Sequence, residues 1–189
     1  MVEGRPGNGD GQLSVPVICV TGRFQPFHCD HLDLVLYALA RADVVVIGVT
    51  NPDDVARVPH PASAHRHLPD ANPWTYPQRE VLIRAALARA AVSDSRYRIT
   101  PFPLDEPAAW PGILPPGTPQ LVRVYSDWER EKLRRFTAAG YPPLVLDGDP
   151  RSRITASDIR NAMRTGGAWR HLVPPGAREL LASWVEAAA

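Results

Sequence analysis

Cysteine is scarce: the chain of 189 residues has two, Cys19 and Cys29. Two thiols exclude a disulfide framework and a cysteine-built metal centre, and they suit a reducing cytoplasm. Excess charge is missing too. With 21 Lys and Arg against 20 Asp and Glu the net charge is +1, so no field of one sign draws the chain to nucleic acid or to a membrane surface. No run of about 18 apolar residues occurs, which argues against a membrane span. Residues 1–14 are rich in Gly and Asp, lack the apolar core of a signal peptide and read as a flexible tail. Residues 15–189 suffice for a single domain with a sizeable core.

Proline, in contrast, is plentiful. Many of the 21 prolines sit between patterned segments and predict long, rigid connections. The patterned segments alternate. Residues 15–21 are continuously apolar and read as a strand buried on both faces. Leu32, Val35, Leu36 and Leu39 recur at helical spacing over residues 29–41, and 43–50 read as a second buried strand. Further strands are expected at 96–102, 120–125 and 142–147. Further helices are expected at 75–91 (with Val81, Leu82, Ala85 and Ala86 on one face), 127–139, 156–164 and 175–186. Two connections stand out. Residues 51–73 carry His60, His65, Arg66 and His67, and the Pro-rich 103–119 carry Trp110. Strands alternating with helices predict an α/β fold, a Rossmann-like, doubly wound parallel sheet of about five strands with C-terminal helices. Ligands of such sheets bind at the carboxyl ends of the strands, where the strand order reverses.

The first such end carries the strongest chemical signal. Residues 22–31 read Gly-Arg-Phe-Gln-Pro-Phe-His-Cys-Asp-His and open a helix. A helix N-terminus offers unpaired N–H groups and partial positive charge, so His28, His31 and Arg23 there suit a polyphosphate. An isolated pair of histidines at this spacing more often caps or packs the helix. Zinc is disfavoured because no third ligand is near. A second group, Arg151-Ser-Arg-Ile-Thr-Ala-Ser-Asp-Ile-Arg160, places Thr155 and Ser157 at a helix start with Asp158 in its first turn. It reads equally as an ordinary N-cap and as a second anion cradle with Arg160, while Arg151 and Arg153 add charge or are simply solvated. A third, Asn72-Pro-Trp-Thr-Tyr-Pro-Gln-Arg79, has Thr75 as a helix cap and Trp74 as a buried anchor.

These three motifs, in this order, resemble the nucleotidyltransferase superfamily with the His-x-Gly-His signature. The lead-in Gly-Arg-Phe-Gln-Pro-Phe-His is most similar to its nicotinamide-mononucleotide adenylyltransferase branch. Residues 151–160 resemble that family's Ile-Ser-x-Thr-x-Ile-Arg motif, and Asn72–Arg79 its archaeal-type Asn-Pro-Phe-Thr-x-x-Glu-Arg segment. Ala168-Trp-Arg-His-Leu-Val-Pro-Pro resembles its C-terminal Trp-x-x-Leu-Val-Pro. The resemblance implies one nucleotidyltransferase domain over residues 15–189. It assigns catalysis to His28, His31, Arg23 and Arg160, and nucleotide contacts to Gly22, Arg23, Phe24, Gln25, Thr155, Ser157 and Arg160. Acceptor contacts fall to Asn72, Trp74, Arg79 and Trp110. The partners it implies are Mg²⁺, a nucleoside triphosphate (ATP) and a phosphorylated acceptor. A homo-oligomer is left open.

One residue departs from the signature: Asp30 stands where the family has glycine. A carboxylate there repels phosphate unless it pairs with an arginine or holds Mg²⁺. Failing both, it marks changed chemistry. The long 51–73 connection also departs, beside the expected acceptor pocket. Three readings follow. The first is transfer of AMP from ATP to nicotinamide mononucleotide or a similar phosphorylated acceptor. The others are a cytidylyltransferase acting on a small phosphate or phosphonate, and a catalytically silent nucleotide-binding sensor.

Overall fold

In a computed structural model, which describes residues 14–54, 59 and 67–187, the apolar runs form five parallel strands. They are β1 (Val15–Gly22), β2 (Ala42–Val49), β3 (Tyr97–Pro101), β4 (Gln120–Val124) and β5 (Pro143–Asp147). The helices are α1 (Cys29–Leu39), α2 (Tyr76–Arg89), α3 (Asp127–Ala138), α4 (Ala156–Thr165) and α5 (Ala177–Ala187). The strand order β3-β2-β1-β4-β5 bears out the doubly wound sheet, and the order reverses between β1 and β4. The expected tail at 1–14 lies outside the described residues except for Ser14, and so do His60, His65 and Arg66.

Strand side chains alternate between two cores, as the pleat requires. Ile18, Val20, Val45, Ile47 and Leu121 enter one, covered by α1, α2 and α5. Cys19, Val46, Val122 and Val124 enter the other, with Phe102, Phe136 and Tyr141. Burial pushes the Cys19 thiol up to about 12, so it is an inert part of that core.

Three expectations shift. In α1 the buried stripe is Leu34, Val35 and Ala38, while Leu36 is exposed. In α2 it is Arg79, Leu82, Ile83, Ala86 and Leu87, and Val81 is exposed. The true face of α2 includes an arginine, which a hydropathy pattern places in solvent. The third shift is larger. Trp110, expected at the acceptor pocket, sits in a short 3₁₀ turn (Pro107–Gly112) and is completely buried in the second core. Its indole packs on Phe102, Phe136 and Tyr141, with centroids 5.2–5.6 Å away for the nearest contacts, and Nε1–H donates to Pro103 O at 2.8 Å. The Pro-rich connection folds back over the sheet because this indole buries more apolar area than any other side chain in it can.

Trp110→Ala is expected to lower the unfolding free energy by about 3–5 kcal/mol in urea titrations. Trp110→Phe should leave the acceptor KM within about twofold, because the ring only fills core.

Candidate active site

Strands β1 and β2 pair along their whole length, through Gly22↔Val49. The partnership of β1 with β4 is confined to Cys19↔Gln120 and Val20↔Leu121. Beyond Val20 the two strands part, and a crevice of about 600 Å³ opens between their carboxyl ends. Lys132 of α3 closes its floor: the ammonium is buried, and Nζ donates to Thr21 O at 2.9 Å. It caps a carbonyl one residue beyond the last β1–β4 pair.

One wall is the 22–31 motif. Phe24 adopts a left-handed backbone (φ 53°) with its ring buried, and a Cβ on Gly22 would come within 2.7 Å of that ring. A glycine at 22 is what lets the phenylalanine fold under the strand end. His28 is the N-cap of α1. Its carbonyl accepts from the His31 and Leu32 N–H groups at 3.0 and 3.1 Å, and its own N–H donates to His31 Nδ1 at 3.3 Å. With Nδ1 accepting, the proton of a neutral His31 lies on Nε2, the tautomer that donates from that nitrogen. The two rings stack at a centroid distance of 3.6 Å, and the Phe24 ring meets His31 edge-on at 4.9 Å. Burial drives the His28 pKa down to about 4, against the opposing pull of Asp30 and with the help of Arg153. Its Nδ1 is buried with no hydrogen-bond partner. The helix-cap reading and the phosphate reading are thus compatible: His28 caps the helix, and the residue also lines the crevice.

The opposite wall is the second motif. Thr155 is the N-cap of α4, its Oγ1 accepting from Asp158 N–H at 3.1 Å. Thr155 and Ser157 both line the crevice. Arg160 donates to Gln25 O at 2.6 Å and to Ser157 Oγ at 3.1 Å, joining the two walls. Burial lowers the Arg160 pKa, so its cation is only partly hydrated. Arg153 pairs with Glu129 at 3.0 Å and lies over the Tyr125 ring, 4.8 Å from its centroid; Arg151 is exposed.

The structure therefore brings Gly22, Arg23, Phe24, Gln25, His28, Asp30, His31, Thr155 and Ser157 onto one crevice. It does not bring the expected acceptor residues there. Arg79 is fully buried and serves as a clamp: Nη1 donates to Arg23 O and Thr50 O, both at 2.9 Å, and Nη2 to Asn51 O at 2.8 Å. A guanidinium so occupied fixes the backbone behind the motif, which corrects its expected role as a direct acceptor contact. Asn72 is buried and donates to Leu68 O at 2.8 Å; Arg23 donates to the adjacent Ala71 O at 3.1 Å. Trp74 is half-buried, and its main chain exchanges two hydrogen bonds with the Gln25 amide, at 2.8 and 3.0 Å. Among the described residues Asp30 pairs with no arginine, and no group of three or more His, Cys, Asp or Glu surrounds it. Its Oδ2 accepts from Tyr125 OH at 3.1 Å and from Ile154 N–H at 3.0 Å.

Sequence reasoning missed Tyr125, Glu129 and Lys132. A signal existed for the last two: Ser126-x-x-Glu129 is a capping box, and Trp128, Lys132 and Phe136 share one face of α3.

Two helix mouths, two histidines, two hydroxyls and a partly desolvated arginine form the donor-rich arrangement that polyphosphate binding requires. The cytidylyltransferase-like family model matches residues 19–162. This chain belongs to that family. It is a nucleotidyltransferase. It is 36% identical to the phosphonoformate cytidylyltransferase of Streptomyces viridochromogenes, over 82% of this chain and 85% of that one. It is 32% identical to the nicotinamide-nucleotide adenylyltransferase of Methanolobus tindarius, over 81% of this chain and 80% of that protein. Its fold is similar to that of a bifunctional NMN adenylyltransferase/ADP ribose pyrophosphatase from Francisella tularensis, at a TM-score of 0.67 and 17% identity. The match covers 91% of this chain and 49% of that one, so the chain spans about half the length of the bifunctional protein.

The His28 environment sets a pH window. The folded chain holds this imidazole neutral down to about 4, whereas the unfolded chain takes up a proton below 6.5. Stability should therefore fall by roughly 3 kcal/mol as pH drops through that interval, with no His28 contribution above it. His28→Gln is expected to flatten this acid limb in pH-dependent urea unfolding.

Proposed function

We propose that this nucleotidyltransferase moves AMP from ATP onto a phosphorylated acceptor of the nicotinamide mononucleotide class. An acceptor phosphate oxygen attacks the α-phosphorus, the bond to the β-phosphate breaks, and pyrophosphate leaves. The observation that carries this reading is the meeting of both helix mouths on one crevice, joined by Arg160 to Gln25 O. The attacking oxygen is already ionised, so the reaction needs charge neutralisation and alignment rather than a general base. His28 and His31 supply ring donors, and Arg23 and Arg160 positive charge, where the transition state gathers negative charge. Gly22–Gln25, Thr155 and Ser157 hold the nucleotide.

Mg²⁺ fits this donor set as a passenger on the triphosphate. Among the described residues no group of three or more His, Cys, Asp or Glu is arranged to hold a metal ion, and triphosphate-bound Mg²⁺ needs only one or two protein carboxylates. When bound, it neutralises phosphate charge. No helix among the described residues is long and apolar enough to cross a membrane, and both cysteines are free, which suits a reducing cytoplasm.

A second reading is transfer of CMP from CTP onto a small phosphonate or phosphate. Two observations favour it: the 36% identity to a phosphonoformate cytidylyltransferase, and the burial of Trp110 away from the crevice, which removes the aromatic expected beside a nicotinamide ring.

Pyrophosphate release should be measured for four nucleoside triphosphates with Mg²⁺, each against nicotinamide mononucleotide and phosphonoformate. Release with ATP and nicotinamide mononucleotide is expected. Release confined to CTP and the phosphonate selects the second reading, and nucleotide binding without turnover on any pair sinks both in favour of a sensor. On the productive pair, His31→Ala should cut turnover by about 100-fold or more while moving the nucleotide KM less than about threefold.

A further inference from the structure

Helix α4 fully buries only Ile159 and packs Ala162 and Met163, with Ile154 before its mouth, half-buried against the same core, so its apolar footing is modest. Polar ties carry the rest. Arg160 reaches Gln25 O behind the mouth, and Arg153 reaches Glu129 before it. The tie nearest the mouth is made by Asp30, the second residue of α1, across 124 positions of sequence. Its Oδ2 accepts the main-chain N–H of Ile154, the residue directly before the N-cap Thr155. The same oxygen accepts from the Tyr125 hydroxyl at the end of β4. The tyrosine is itself fixed. Its ring lies under the Arg153 guanidinium and against Gly148, where any Cβ would collide with it. Burial raises its pKa, which keeps the hydroxyl a donor.

We propose that Asp30 is a positioning residue for the nucleoside triphosphate: one carboxylate oxygen latches the mouth of α4 to the mouth of α1 through Ile154 and Tyr125. The two phosphate-binding helix ends come from opposite ends of the chain, and the latch sets the gap that the triphosphate spans. In the α1 first turn the carboxylate is also favoured by the helix dipole, which offsets part of its repulsion of phosphate. The charge is incidental to the latch; the acceptor oxygen is what matters. The proposal rests on the nucleotidyltransferase reading alone and holds for either base and either acceptor.

The test uses the full chain with Asp30→Gly, Asp30→Asn and Tyr125→Phe, read by Kd for MgATP and MgCTP, by turnover at saturating nucleotide, by Mg²⁺ titration, and by hydrogen exchange of the Ile154 amide without ligand. Asp30→Gly should weaken the tighter nucleotide at least about fivefold, speed exchange at Ile154 at least about tenfold, and leave saturated turnover within about threefold. Asp30→Asn keeps an oxygen that accepts both bonds, so it should restore Kd and exchange to within about twofold of the parent at an unchanged Mg²⁺ dependence. Tyr125→Phe should fall between, and adding it to Asp30→Gly should cost nothing further, because both act through one latch. Asp30→Asn behaving like Asp30→Gly, or shifting the Mg²⁺ requirement, would overturn the proposal by making charge the operative property. Unchanged exchange at Ile154 in Asp30→Gly would do the same. Should Asp30→Gly not fold, the asparagine and phenylalanine variants decide the matter by the same readouts. A parent chain that binds neither nucleotide refutes the nucleotidyltransferase reading instead, and the exchange at Ile154 still judges the latch.

Discussion

The parting of β1 from β4 is the constraint on which the site depends. A parallel strand pair normally exchanges hydrogen bonds along its length, as β1 and β2 do. Here the pairing stops after Val20 and Leu121, at the point where the strand order reverses. The chain leaving β1 turns one way into α1 and the chain leaving β4 the other way into α3, so their carboxyl ends cannot stay bonded. Each group set free must then find another partner, since an unpaired buried carbonyl costs about 1–3 kcal/mol. Lys132 answers at Thr21 O. What remains is a polar crevice with a helix mouth on one rim and room for another on the opposite rim.

Behind that crevice the structure spends its most hydrogen-bonding side chains on scaffolding. Arg79 gathers carbonyls of Arg23, Thr50 and Asn51, and Gln25 grips both main-chain groups of Trp74. The 22–31 loop thus arrives preorganised, so little ordering entropy is left for the ligand to supply. The C-terminal wall is built differently. Helix α4 combines one fully buried side chain and a few half-buried ones with several polar ties, so hydrogen bonds share in setting its position.

Strands β1, β2 and β4 were legible because they are largely buried on both faces, and such strands are near-continuous apolar runs whatever the tertiary detail, whereas the edge strands β3 and β5 expose Arg98, Leu144 and Val145. The motifs at 22–31 and 151–160 were legible for a related reason. They lie at the junctions of strand with helix and of loop with helix, where local backbone geometry already defines an anion site. Arg79, Trp110 and Asp30 were not legible in their roles. An arginine that clamps carbonyls, a tryptophan that fills a core and an aspartate that accepts main-chain N–H are each chemically indistinguishable in sequence from a ligand-binding arginine, a stacking tryptophan and a metal-binding aspartate. Their partners at Arg23, Pro103 and Ile154 are main-chain atoms, which carry no residue identity and leave no mark in a sequence.

The sequence by itself determined the α/β alternation, the parallel sheet and the family of chemistry, because hydropathy period and short motifs are properties of neighbouring residues. Tertiary structure alone decided where β1 and β4 separate, which charged side chains are buried, and that Asp30 reaches the main-chain N–H of Ile154. Those outcomes turn on distances between residues far apart in the chain and on main-chain donors and acceptors, which only the packed molecule brings together.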